Sequence, residues 1–285
     1  MAIDDLISMR SPMPPDMVDD LGVLTSPPER LSIRGNTKNL RRLLDFPPLE
    51  VVWVGDVNQR QFDEIIGLID PLYLLFNGLR VADLSPLGRF TQLEALEINW
   101  NTKVTDISFL TMLTQLRLLA LVHCTKVHDL SPIGALRDLE ILDLGGGMWS
   151  TFRPETLAPL ANLHKLRGLS LEAIRAGDES LAPVAGLGNV REIELSNQFP
   201  TEEYARLSVA FPNIACTHFQ PYFDFSMGTG VRQVMVTSKR GPVLMLPDWS
   251  VMSRDSVRCR TGFARGIDPW IHPPGFPGDA RGSAC

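Results

Sequence analysis

The sequence predicts an α/β solenoid in which short parallel strands line one face and tight turns or brief helices line the other. Three observations predict it. The 285 residues are 44% hydrophobic and 21% charged, a globular balance that can build a large core. Apolar segments recur at a nearly constant spacing along the chain. Within each segment apolar and polar residues alternate, as in a strand with one buried face.

The clearest segments begin at Leu93, Leu116 and Leu139, each 23 residues after the last. The first two fit the pattern L-x-x-L-x-L-x-x-N/C, and the third fits it except that Gly147 fills the last position. Weaker copies extend the series to about nine units over residues 28–222, with further starts at Pro28, Leu49, Asp70, Leu166, Val190 and Ile214. About ten residues of each unit remain for the return path. The Asp-Leu-Ser-Pro phrases in them are typical of a capped first turn. We expect 3-10 turns or short helices there, with room for a longer helix in the unit that begins at Leu139.

These segments and the Asp-Leu-Ser-Pro phrases at residues 83–86 and 129–132 resemble the leucine-rich repeats of bacterial internalins and of phosphatase-regulatory proteins. The resemblance implies a leucine-rich repeat solenoid, a right-handed horseshoe with the parallel sheet on its concave face. It also implies protein recognition without chemistry, as in internalin-like bacterial proteins.

Stacked repeats leave an open apolar end on each side, so covering segments are expected at both ends. Residues 1–27 are rich in Pro and Asp and are predicted to cover the first repeat as an N-terminal cap. Residues 223–249 hold two apolar-rich segments around a Ser-Lys-Arg-Gly-Pro turn, which predicts a β-hairpin cap. Residues 250–285 contain 5 Gly and 4 Pro without periodicity and are predicted to be an irregular, flexible tail.

Charge and composition exclude several classes of partner and location. With 27 basic and 33 acidic residues the net charge is −6, so nucleic acid is not an expected partner. The four cysteines form no Cys-x-x-Cys pair, which favours a reducing compartment. We find no signal-peptide pattern and no membrane-spanning stretch, and therefore expect a cytoplasmic protein that does not enter a membrane. The five histidines show no metal-ligand spacing, and neither a metal nor another cofactor is implied.

No catalytic arrangement stands out, and the chain is predicted not to be an enzyme. His123 beside Cys124 could suggest a base with a nucleophile, but the repeat pattern places Cys124 at the buried Asn position. Two alternatives to a simple binding module stay open. One is a regulatory subunit or effector that acts on another enzyme, such as a phosphatase. The other, less favoured, is a repeat-fused enzyme such as a ubiquitin-ligase-like effector, with Cys259 as its reactive thiol.

Aligning the repeats predicts an apolar, aromatic patch on the concave face, formed by Trp53, Leu74, Phe76, Trp100 and Val122. Exposed aromatic clusters are typical of interface anchors, so we predict partner binding through Trp53, Phe76, Trp100 and His123. Two other interpretations stay open. The N-terminal cap or the tail could cover the patch, or the register of the weak units at Leu49 and Asp70 could be shifted, which would place some of these residues inside.

A second group of concave positions is acidic and is predicted to form the polar flank of the same surface. It comprises Glu97, Asp143 and Glu194, with Glu172 and Glu192 beside them. Such a strip would attract a basic segment of the partner protein. The plainer interpretation is a solvated charged face that keeps the protein soluble. The sequence identifies neither the partner nor the oligomeric state.

Overall fold

The computed structural model describes residues 14–147, 150–224, 233–239 and 241–245 of the chain. The chain divides into two compact units. The first runs to Gln220 and includes Thr237–Gly241, and the second holds Pro221–Val236 and the chain from Pro242 onward. The repeats lie in the first unit.

Eight parallel strands form one sheet in sequence order, without a crossover. Each strand is the L-x-L part of one predicted repeat, and neighbouring strands pair at equivalent positions. The strands are β1 (Arg30–Arg34), β2 (Val51–Gly55), β3 (Tyr73–Asn77), β4 (Ala95–Asn99), β5 (Leu118–Val122), β6 (Ile141–Gly145), β7 (Gly168–Glu172) and β8 (Glu192–Leu195).

The return paths are short, as the length of the repeat requires. Most are 3-10 turns, at Leu40–Asp45, Ser85–Arg89, Ser108–Met112, Ser131–Ala135 and Ala158–Asn162. Three returns are α-helical: α1 (Gln59–Ile66), α2 (Ala182–Ala185) and α3 (Thr201–Ala210). In the Asp-Leu-Ser-Pro phrases the aspartate accepts a hydrogen bond from the serine amide, at 2.9 Å for Asp83 and 2.8 Å for Asp129. The predicted leucine-rich repeat solenoid is therefore confirmed.

The core is built from two inward-facing rows of strand residues. Leu96 and Ile98 of β4 and Leu119 and Leu121 of β5 are typical of these rows, and all four are buried. They pack against the apolar residues of the returns in one continuous cluster. Asn101, at the N/C position of the repeat pattern, is fully buried among them. It hydrogen-bonds to the backbone of its own turn and to that of the preceding unit.

The register predicted for the third unit is wrong by one residue. Pairing places Leu75, not Leu74, beside Trp53, and places Phe76 beside Val54 in an inward row. Phe76 is fully buried and packs on Phe62 of α1, with ring centroids 5.6 Å apart. Phe76 is therefore a core residue and not a concave anchor. Residues 73–76 are all apolar, so alternation along the sequence could not fix which of them face inward.

Two further details differ from expectation. The ninth predicted strand, around Ile214 and Thr217, is not a strand, because Thr217–Phe219 is a 3-10 turn after α3. The long unit that begins at Leu139 gains no longer helix, since its return is the ordinary turn Ala158–Asn162. Its extra residues instead form a bulge after β6, where Gly147 and Ser150 make an antiparallel bridge.

The described part of the N-terminal segment pairs with the first repeat. Met17 bridges to Ser32 of β1, and the amide of Val18 donates to the Ser32 carbonyl at 2.8 Å. Leu21 is fully buried, and the Arg42 guanidinium donates to the carbonyls of residues 21, 22 and 24. Residues 14–24 thus occupy the open edge of the sheet, and residues 1–13 lie outside the described part of the chain.

The second unit contains an antiparallel sheet of three strands: β9 (Tyr222–Asp224), β10 (Gln233–Val236) and β11 (Val243–Met245). The strands β10 and β11 correspond to the two apolar segments of the expected hairpin, and β9 adds to its other side. Its role as a cap stays a prediction. The predicted tail, residues 250–285, lies outside the described residues. Within the described residues, no helix has the length and apolar character needed to cross a membrane.

Candidate functional site

Three outward rows of strand residues form the concave face. The middle row holds Ser32, Trp53, Leu75, Glu97, Ala120, Asp143, Ser170 and Glu194. The row at the start of the strands holds Arg30, Val51, Tyr73, Ala95, Leu118, Ile141, Gly168 and Glu192. We call the third row, at the end of the strands, the exit row: Arg34, Gly55, Asn77, Asn99, Val122, Gly145 and Glu172. The face is mainly apolar from β2 to β5 and acidic from β6 to β8.

The apolar part of the concave face is buried. Trp53 lies on this face as predicted, but only 2% of its surface is exposed. It clusters with Val51, Tyr73 and Leu118, and the rings of Trp53 and Tyr73 are 6.0 Å apart. Trp53 therefore differs from the exposed anchor that the sequence predicted.

Glu97 belongs to the same buried region rather than to an exposed acidic strip. It is 1% exposed and accepts a hydrogen bond from the hydroxyl of Tyr73. Burial, together with the nearby Glu97 carboxylate, raises the pKa of Tyr73 far above its ordinary range, so Tyr73 stays a hydrogen-bond donor. The other two predicted acidic residues lie further along the middle row, where Asp143 is half-buried and Glu194 is exposed.

The residue that directly follows a strand often adopts a left-handed backbone. Its φ is +50° at Asp56, +79° at Gly78, +64° at Trp100, +60° at His123 and +48° at Ala173. A bulky residue in this region is an outlier that the surrounding structure must hold in place. The sheet does this, because the amides of Trp100 and His123 donate to the carbonyls of the next strand, each at 2.9 Å.

Trp100 and His123 stack on each other at this edge of the sheet. Their ring centroids are 4.0 Å apart and their planes differ by 20°. His123 Nδ1 lies 3.0 Å from the hydroxyl of Ser150, which the bulge after β6 supplies. Gly147 leaves the room for the ring, since a Cβ there would lie 1.9 Å from His123 Cε1. Ser150 and Gly147 thus contact the His123 ring of the stack, while 55% of the surface of Trp100 stays exposed. Two of the four predicted anchors, Trp100 and His123, are brought together.

The exit row beside this stack carries polar side chains with unused hydrogen-bonding capacity. Asn77 and Glu172 are exposed and Asn99 is half-buried. Each of the three is a described residue that makes no side-chain hydrogen bond or ion pair. Strand pairing fixes the position of each of these residues on the sheet. The exit row therefore carries three side chains, at Asn77, Asn99 and Glu172, whose hydrogen-bonding groups are not used within the described chain.

The sequence argument did not single out Asn77 or Ser150. The shifted register of the third unit moved Asn77 by one position, and only the correct pairing puts it beside Asn99. Ser150 lies in the extra residues of the long unit, which have no equivalent in the other repeats. The alignment of the repeats did place Glu172 in the exit row, next to the predicted acidic residues.

The geometry gives little support to chemistry at these residues. Cys124 is fully buried and its thiol lies 3.6 Å from the carbonyl of Ile98, while His123 faces outward. Burial raises the pKa of the Cys124 thiol to about 12, which makes it a poor nucleophile. No cluster of three or more His, Cys, Asp or Glu side chains in the described chain is arranged to hold a metal ion.

No family model and no curated protein matches this sequence. Solved structures with similar folds do exist. An internalin of Listeria monocytogenes is 25% identical, with a TM-score of 0.46, over 62% of this chain and 48% of its own. Internalin C2 of Listeria monocytogenes is 20% identical, with a TM-score of 0.41, over 70% of this chain and 80% of its own. Drosophila Toll, solved in complex with Spätzle, is 18% identical, with a TM-score of 0.45, over 67% of this chain and 26% of its own. This chain thus spans less than half the length of the first of these structures.

Proposed function

We propose that this leucine-rich repeat protein is a binding module without catalytic activity of its own. Its partner is another protein, and the contact surface is the exit-row side of the concave face. Trp100 and His123 supply the apolar anchor, with Asp143 and Glu194 on the acidic side. Phe76 lies in the core and is not part of this surface, and we propose that Trp53 and Glu97, which are buried on the concave face, only support it.

The observation that carries this proposal is the exposed Trp100 in a left-handed backbone, stacked on His123. An indole that served only stability would be expected in the core, where burial contributes about 25 cal/mol per Å² of apolar surface. Trp100 instead exposes more than half of its surface, next to the exit row in which Asn77, Asn99 and Glu172 make no side-chain hydrogen bond or ion pair. Exposed aromatic residues surrounded by polar groups are typical of interface hot spots.

The three side chains without a partner, Asn77, Asn99 and Glu172, favour an extended segment over a globular surface. These residues lie in one line across five strands, from β3 to β7. A segment crossing the strands could meet all three. The amides of Asn77 and Asn99 can bond main-chain N–H and C=O groups, and the Glu172 carboxylate can accept from N–H groups. The proposal retains the predicted cytoplasmic location, which the free thiols of Cys124 and Cys216 support.

The test is affinity capture from native lysate with wild-type protein and the Trp100→Ala variant. Met112→Ala is the matched control, because Met112 is 56% exposed on a return turn and Trp100 is 55% exposed. We expect the partner to be retained by the control and lost with Trp100→Ala, since truncating a hot spot costs at least about 2 kcal/mol, or about 30-fold in Kd. Equal retention by both variants would refute the proposed surface.

A photo-crosslinking residue places the contact more directly. Introduced at Asn77, it should attach to the captured partner, whereas the same residue at Met112 should not. Adducts formed only at Met112 would assign binding to the return turns and contradict the proposal.

A further inference from the structure

Two groups on the proposed surface are suited to positive charge and lie at a defined separation. The exposed indole of Trp100 follows β4, and the carboxylate of Glu172 ends β7. The strands are three positions apart in the sheet. With neighbouring strands about 4.8 Å apart, β4 and β7 are about 14 Å apart across the sheet. An extended chain rises about 3.3 Å per residue, so residues four apart along a bound segment would reach both groups.

The charges on the concave face favour a cationic ligand at this place. Asp143, Glu172, Glu192 and Glu194 carry carboxylates on the outward rows of β6 to β8. Among the described residues of the three outward rows, the basic side chains are Arg30 and Arg34, both on β1 at the opposite end of the sheet. A basic segment lying over β4 to β7 therefore meets the exposed carboxylate of Glu172 and no basic residue of the outward rows of these four strands.

We infer that the partner segment bears two basic residues four positions apart, with an arginine on Trp100 and an arginine or lysine on Glu172. This inference rests on the proposed function and specifies the chemistry of its partner. A planar guanidinium stacks on an indole and is less strongly hydrated than an ammonium, so arginine is assigned to Trp100. The even spacing keeps both side chains on one side of an extended segment. Asn99, the exit-row residue of β4 beside Trp100, binds the main chain of the segment.

Three synthetic peptides test the inference. The first, acetyl-Gly-Arg-Ser-Gly-Ser-Arg-Gly-amide, has arginines four apart. The second, acetyl-Gly-Ser-Arg-Arg-Gly-Ser-Gly-amide, has the same composition and charge with adjacent arginines. The third replaces both arginines of the first by neutral citrulline. Binding is followed by the indole N–H signals of ¹⁵N-labelled full-length protein, with the Trp100 signal assigned from the Trp100→Phe variant.

We expect the spaced peptide to shift the Trp100 signal in a saturable way, with a Kd about fivefold below that of the adjacent-arginine peptide. The citrulline peptide should bind about tenfold more weakly than the spaced peptide, because it loses both charges. Glu172→Gln should remove the preference for spacing. Glu64→Gln, which removes an exposed carboxylate from α1, should leave it unchanged.

The outcomes separate this inference from the proposed function. Equal binding of the arginine and citrulline peptides, or an unaltered spacing preference in Glu172→Gln, would overturn the inference. So would a Trp100 signal that none of the peptides moves. In each of those cases a captured partner that still depends on Trp100 would uphold the proposed function. Conversely, spaced-arginine binding with a captured partner indifferent to Trp100→Ala would uphold the peptide site and refute the proposed partner surface.

Discussion

Replacing Asn101 by alanine should destabilise the solenoid by about 3 kcal/mol. The Asn101 side chain is fully buried and makes three hydrogen bonds. Its Nδ2 donates to the Val81 carbonyl at 2.9 Å, and its Oδ1 accepts from the amides of Lys103 and Val104 at 2.9 and 3.1 Å. Each buried hydrogen bond contributes about 1 kcal/mol to the free energy of unfolding. Alanine would leave the Val81 carbonyl and the amides of Lys103 and Val104 without these hydrogen bonds. Urea unfolding followed by far-ultraviolet circular dichroism measures the change in free energy.

Asn189→Ala is the matched control. Asn189 is exposed and its Nδ2 makes one hydrogen bond, to the His164 carbonyl at 2.7 Å, so its loss should cost less than about 1 kcal/mol. Asn101→Cys should fall between the two, because Cys124 fills the same position one unit later with only weak thiol contacts. A loss below about 1 kcal/mol in Asn101→Ala would refute the reasoning that this side chain closes the turn after Trp100.

Three further predictions follow from single sites. Gly147→Ala should destabilise the fold by about 1–3 kcal/mol, because φ is +142° at this residue and a Cβ would displace the His123 ring. The displaced ring should also shift the indole N–H signal of Trp100, and an unmoved signal would contradict this prediction. Cys124, with a pKa of about 12, should resist thiol labelling at pH 8 until the protein unfolds; rapid native labelling, located by mass spectrometry, would contradict this. Hydrogen bonds from Ser85 and Ser131 lower the pKa values of Asp83 and Asp129. The two carboxylates therefore stabilise the fold fully above about pH 5, and this contribution to the free energy of unfolding is lost as the pH falls below about 4. The double variant Asp83→Asn, Asp129→Asn should lose less stability over that pH range than the wild type when unfolding is measured as a function of pH.

The repeat pattern was sufficient to predict the solenoid because each unit repeats the same physical constraint. Leu96 and Ile98 alternate with polar neighbours, and the same spacing returns in β5 and β6. The prediction of 3-10 returns also followed, since about ten residues cannot hold a full helix and its connections. Where alternation disappears, as in Tyr73-Leu-Leu-Phe76, the sequence could not select a face, and the register was wrong.

The site was less predictable because it depends on conformation and on neighbours far along the chain. Trp100 and His123 were identified from their column, but their stacking depends on the left-handed backbone at both residues. The support from Ser150 depends on a bulge that a single unit contains. The burial of Trp53 on the concave face also could not be inferred from a pattern that only assigns residues to faces.

The left-handed position after five of the eight strands has an evolutionary consequence. Its amide keeps the sheet hydrogen bond whether the residue is Asp56, Gly78, Trp100 or His123. Selection on the fold therefore constrains the backbone there and leaves the side chain nearly free, at a cost of about 1–2 kcal/mol relative to glycine. A change in one unit leaves the others in place, so partner preference can diverge by one substitution at a time while the repeat architecture is inherited unchanged.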